Sequence, residues 1–137
     1  MKVLIDTNVL IDGFQSRKGF LEDAGQVILR AYDYDGYITA NSLTDIFYLQ
    51  SRFYHSKAKA RKNLEDIVTL FGIIDTTEED CKNALRSEMK DFEDAVLVES
   101  ALREGVDVIV TRNKKDFKNS SIKICSPLEF FQNYLTE

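Results

Sequence analysis

Short apolar runs alternate with longer stretches of helical spacing along the whole chain. Lys2–Ile5 (KVLI) reads as a buried strand. Residues 21–34 place Leu21, Ala24, Ile28 and Ala31 on one helix face; Gly36 ends that helix, and 37–39 is a short strand. Residues 42–53 and Lys57–Leu70 read as two helices, and 72–75 (GIID) as a third strand. Thr77 with Asp80 is a capping-box start for a helix running to about residue 89. Asp91 and Asp94 start another, which Gly105 ends just beyond its last turn. Val108–Val110 and 122–125 are the fourth and fifth strands. Ser126, Pro127 and Glu129 then supply an N-cap, a first-turn proline and a capping-box acid for a last helix. Nearly all-apolar strands alternating with helices predict an α/β fold with a parallel sheet covered on both faces. Ligands of such folds sit at the carboxyl ends of the strands, so the residues just after each strand are the candidate chemistry.

Acids recur there. Asp6-Thr7-Asn8 follows the first strand, Asn41 to Asp45 the second, and Thr111 to Asp116 the fourth; Asp94 opens the helix that feeds the fourth. Each has an ordinary reading. Asp6 is a turn or N-cap, Asp116 a solvated charge in a Lys-rich loop, and Asp91 and Asp94 are helix caps favoured by the dipole. At about 100° per residue, however, Asp94 falls near the middle of the arc of Ala95, Leu97, Val98, Ala101 and Leu102. Asp91 falls beside it, and Glu93, Glu99, Ser100, Arg103 and Glu104 take the opposite arc. No Lys or Arg lies three or four residues C-terminal to Asp94. A buried carboxylate there must be paired, protonated or metal-bound. Asp45 is similar: its i+3 and i+4 neighbours are Tyr48 and Leu49. Carboxylates converging on one edge are sensible around a hard divalent cation, Mg²⁺ or Mn²⁺, which acidifies a bound water.

Composition narrows the rest. At 137 residues, with 18 Lys+Arg against 23 Asp+Glu, the chain reads as one acidic domain over 1–137. A net charge of −5 argues against a generic nucleic-acid binder but leaves room for acidity concentrated in a metal site. The one histidine, His55, removes multi-histidine metal sites. Cys81 and Cys125 form no C-x-x-C motif, and their scarcity suits a reducing cytoplasm. Glycines are too scattered for a phosphate or dinucleotide loop. No stretch approaches the ~20 apolar residues of a membrane span, and no signal-peptide core opens the chain. Basic residues cluster twice: Arg52, Lys57, Lys59, Arg61 and Lys62, and Arg112, Lys114, Lys115 and Lys118. The first set reads as a solvated helix face. The second adjoins Asp116, which makes Lys114, Lys115 and Arg112 candidates for phosphate contacts to a polyanion, with Arg52 and Lys59 behind them. Phe47, Tyr48, Phe53 and Tyr54 are expected to pack in the core rather than to stack on bases.

VLIDTNVLID at 3–12, SLTDIFY at 42–48, DFEDAVLVESA at 91–101 and VIVTRNKKDF at 108–117 together resemble the PIN-domain nuclease family, in particular the small prokaryotic VapC-like toxin ribonucleases. The resemblance implies a three-layer α/β/α sandwich with a central parallel five-stranded sheet. It implies a Mg²⁺- or Mn²⁺-dependent endoribonuclease that hydrolyses phosphodiesters with an activated water. By position it assigns Asp6, Asp45, Asp94 and Asp116 to the acidic site. It makes Asn8 and Thr111 the polar residues orienting those ligands, and Asp91 a candidate additional carboxylate. One departure is that the family's second acid is usually Glu, whereas Asp45 is one methylene shorter, so its metal contact could run through water. The resemblance also implies a cytoplasmic protein, a cognate antitoxin as partner and a tendency to homodimerise. A haloacid-dehalogenase-type enzyme would need D-x-D where Asn8 stands. A receiver-type phospho-switch would need an acidic pair after the first strand and Lys-Pro where Ser126-Pro127 stands. A PIN-like RNA-binding or protein-interaction scaffold with a weakened site is the non-enzymatic alternative.

Overall fold

The computed structural model describes residues 1–135. Five strands, β1 (Lys2–Ile5), β2 (Asp35–Thr39), β3 (Gly72–Ile74), β4 (Val108–Val110) and β5 (Lys123–Cys125), form one parallel sheet in the order β3-β2-β1-β4-β5. Among the described residues seven α-helices flank them: α1 (Thr7–Phe14), α2 (Leu21–Leu29), α3 (Ala40–Tyr54), α4 (Lys57–Leu70), α5 (Glu78–Arg86), α6 (Phe92–Arg103) and α7 (Pro127–Phe130). β1 is central: Leu4 lies opposite Tyr37 on one side and Ile109 on the other.

Strand alternation divides the core into two layers. Val3, Ile5, Val108 and Val110 point to the face covered by α1, α2, α3, α4 and α7, where Leu10, Val27, Ile46, Ile67 and Phe130 pack. Leu4 and Ile109 point to the other face, against Leu97, Val98 and Ala101 of α6 and Phe117. This is the α/β/α sandwich with the five parallel strands expected above.

Two expectations need correction. No helix was predicted at 7–14, yet Thr7–Phe14 is α1, capped by Asp6, whose side chain accepts from Thr7 N. Asp6-Thr7-Asn8 interrupts the apolar run after β1 and reads as a turn, while Val9-Leu10-Ile11 resumes that run inside α1. The helix predicted over 21–34 stops at Leu29 and is followed by a 3-10 turn, Ala31–Asp33. Gly36 is not its stop but lies inside β2, where a Cβ would sit 2.8 Å from the rings of Tyr34 and Phe71. Gly105, at φ 68°, does occupy the position just beyond α6.

Candidate active site

β1 and β4 end side by side, and the site is built where they end. Asp6 is the first residue after β1 and only 8% exposed. Thr7 N donates to its Oδ1 at 2.8 Å. Thr111 Oγ1, just past β4, donates to its Oδ2 at 2.8 Å, and Asn8 Nδ2 donates to the same oxygen at 3.2 Å. Asn8 Oδ1 in turn accepts from Arg112 N at 3.2 Å, which ties the α1 start to the loop after β4. Burial pushes the Asp6 carboxyl above the usual carboxylate range, while the bonds from Thr111 and Thr7 pull it back down. Asp6 is therefore both an N-cap and the floor of a cleft.

Asp6, Asn8, Glu93, Asp94, Asn113 and Asp116 line that cleft. Asp94 stands in the first turn of α6, its backbone N–H donating to the N-cap carboxylate of Asp91 at 2.9 Å. It is half-buried, and its carboxyl is pushed up to about 7 by burial and by the charges of Asp91, Asp6, Asp116 and Glu93. Asp116 sits on a 3-10 turn, Lys114–Phe117, which the fully buried ring of Phe117 pins to the core. Loop position alone would not hold that carboxylate at the cleft; the buried phenyl ring does.

Asp45, in the second turn of α3, does not line the cleft with the others. The side chain facing it is Glu93, whose carboxyl is raised by burial, by the charge of Asp45 and by a hydrogen bond with it. Helical periodicity assigned Glu93 to the solvent arc, and Glu93 is exposed; what periodicity did not signal is that this exposed side, in the first turn of α6, borders the cleft. Asp91 caps α6 and faces a neighbouring groove with Lys115 and Lys118.

The predicted RNA contacts are unequally free. Arg112 Nε donates to the buried Asp12 at 2.7 Å, and Lys114 Nζ pairs with Glu129 at 2.8 Å, holding that carboxyl down at about 2. Lys115 is exposed in the groove beside Asp116. Arg52 donates to Tyr48 Oη at 2.7 Å and Lys59 lies over the Tyr54 ring; neither lines the cleft. Tyr48 and Phe53 are 57% and 52% exposed, so core packing does not explain them.

Residues 2–115 match the family model described as PIN domain. The chain belongs to the PIN-domain family. Similar solved structures include a toxin–antitoxin complex from Klebsiella pneumoniae, at 27% identity over 91% of this chain and 97% of that chain, with a TM-score of 0.69. FitAcB from Neisseria gonorrhoeae is 20% identical over 92% of this chain and 98% of that chain, with a TM-score of 0.71. VapBC2 from Rickettsia felis, bound to a promoter DNA fragment, is 20% identical over the same shares, with a TM-score of 0.69. No curated protein matches the chain. The family model ends within the 3-10 turn, one residue before Asp116, so it spans Asp6, Asp45 and Asp94. Among the described residues, no three Asp, Glu, His or Cys side chains of this PIN domain close around one point tightly enough to enclose an ion. Its cleft offers carboxylate and amide oxygens and carries excess negative charge. That donor set fits a hard cation held largely through water rather than a fully protein-caged one. No helix among the described residues is long and apolar enough to cross a membrane.

Proposed function

We propose that this PIN domain is a metal-dependent endoribonuclease and the toxin of a type II toxin–antitoxin pair. The observation that carries the reading is the cleft at the ends of β1 and β4. A buried, hydrogen-bonded Asp6 there shares space with an Asp94 whose carboxyl is pushed up to about 7 by its acidic neighbours. Such a cleft is electrostatically incomplete without a cation. Asp6, Asp94 and Asp116 would hold Mg²⁺ or Mn²⁺ with Glu93 beside them, Asp45 acting through water and Asp91 as an outlying carboxylate. The bound ion supplies an acidified water as nucleophile and countercharge for the pentavalent transition state. Thr111 and Asn8 hold the Asp6 carboxylate in one orientation, as partners behind a metal ligand commonly do. Asp94, its carboxyl pushed up to about 7, would be about half protonated at neutral pH and would give that proton up on holding the cation. Lys115, exposed beside Asp116, would contact a phosphate of the strand; Lys114 and Arg112 would do so only by giving up Glu129 and Asp12, and Arg52 and Lys59 only where the strand runs on past the cleft. The toxin assignment rests on a solved toxin–antitoxin complex sharing nearly the whole fold, and it makes an antitoxin protein the expected partner.

A catalytically weakened scaffold for RNA or protein is the second reading, favoured by Asp45 meeting the cleft only through its hydrogen bond with Glu93. Cleavage of single-stranded RNA with Mn²⁺ separates the two. The nuclease should cut, stop in excess chelator, leave no 2′,3′-cyclic phosphate, and lose activity in Asp6→Asn. RNA binding without cleavage at any metal concentration would sink the nuclease reading in favour of the scaffold.

A further inference from the structure

An acidic cleft that accepts a polyanion needs a cation of its own, and the fold provides one that the sequence did not signal. Arg17 lines the cleft with Asp6 and Asp94, and among the described residues it is the only Lys, Arg or His to do so. It follows Ser16, which turns the chain at φ 53° between α1 and α2. Arg17 N closes the turn by donating to Asp12 O at 3.0 Å.

The side chain is anchored but not consumed. The carboxylate of Asp12, 2% exposed, faces two guanidiniums. Arg112 takes the short contact at 2.7 Å and is covered by the Phe20 ring at 4.3 Å. Arg17 has only a 3.5 Å ion pair to Asp12 and stays 42% exposed. Two cations against one buried anion leave a net positive charge at the rim. A guanidinium carries five donors in a planar fork that matches a phosphate edge, and most of those on Arg17 are free. We propose that Arg17 holds a phosphodiester of single-stranded RNA adjacent to the one being cut, with Asp12 as its anchor. This rests on the nuclease reading and adds the residue that brings the strand over the acids.

Arg17→Ala and Arg17→Lys, each built on Asp94→Asn so that RNA survives, should be compared with Asp94→Asn alone for binding a labelled single-stranded oligoribonucleotide. Salt would be varied over about 50–300 mM, and the slope of log affinity against log salt read out. Losing one phosphate contact should lower the slope by about 0.7 for a single strand. Affinity should fall roughly tenfold for Arg17→Ala. Arg17→Lys should restore the slope but not the full affinity, because an ammonium is a point charge without the fork. Arg30→Ala, which removes a cation paired with Asp33, should change neither. If the Ala variant unfolds at the parent temperature yet matches the parent in slope and affinity, Arg17 does not hold the strand. If the parent does not bind RNA at all, the nuclease reading itself falls and takes this assignment with it.

Discussion

Asp94→Asn tests whether acid crowding is a property of the fold. The carboxyl moves from an ordinary 3.8 to about 7 through burial and four neighbouring acids. Taken at face value that rise is about 4 kcal/mol between protonation states, but water screens a half-buried group, leaving about 1–2 kcal/mol. The sign follows from linkage. The folded protein binds this proton more tightly than the unfolded chain, so the contribution is fully present below pH 3.8, fades as pH rises through about 7, and is gone above it. Asparagine resembles the protonated acid and does not titrate. The variant should therefore match wild type near pH 4 and exceed it progressively towards pH 8. The gap there should be about 3–8 °C in Tm for a chain of this size. The assay is thermal unfolding in chelator across that pH range, repeated with Mn²⁺, where wild type should gain more than the variant. A variant less stable than wild type by the same amount at every pH would refute the reasoning and leave Asp94 as a structural helix residue.

Two further substitutions probe the rest of the cleft. Thr111→Val deletes the donor to Asp6 Oδ2 without changing shape and should cost about 1–3 kcal/mol in denaturant unfolding, with Thr111→Ser near wild type; equal loss in both would point to packing rather than the hydroxyl. Glu93→Gln should weaken Mn²⁺ binding by calorimetry roughly tenfold or more, and more than Asp45→Asn does, because Glu93 and not Asp45 lines the cleft. The reverse order would return the leading role to Asp45.

What could be read from the sequence was what depends on local pattern. Strand, turn and helix chemistry placed Asp6, Asp94 and Asp116 at the sheet's carboxyl edge, because parallel strands sandwiched between helices leave little choice about which edge is open. α1 was hidden because it is only eight residues long, too short to repeat its apolar positions over several turns. The other misses are tertiary. Glu93 was placed correctly in solvent, but a helical wheel says nothing of which neighbouring cleft that solvent belongs to. Arg17 could not be seen, because its value depends on Asp12 and Arg112, which are 100 residues apart in sequence and meet only in the fold. The exposed Tyr48 and Phe53 were assigned inward on residue type alone, which is a one-way rule.

The central place of β1 has a consequence for how the protein comes into being. Its strand partner on one side, β2, is synthesised soon after it, but β4, its partner on the other, arrives about a hundred residues later. Thr111, which fixes Asp6, comes with β4, and Asp116 follows it. Until β4 and the turn after it have been synthesised, Asp6 lacks its hydroxyl partner and the acidic cleft has no far wall. The cleft is thus among the last features to assemble, and the nascent chain passes most of its synthesis without one.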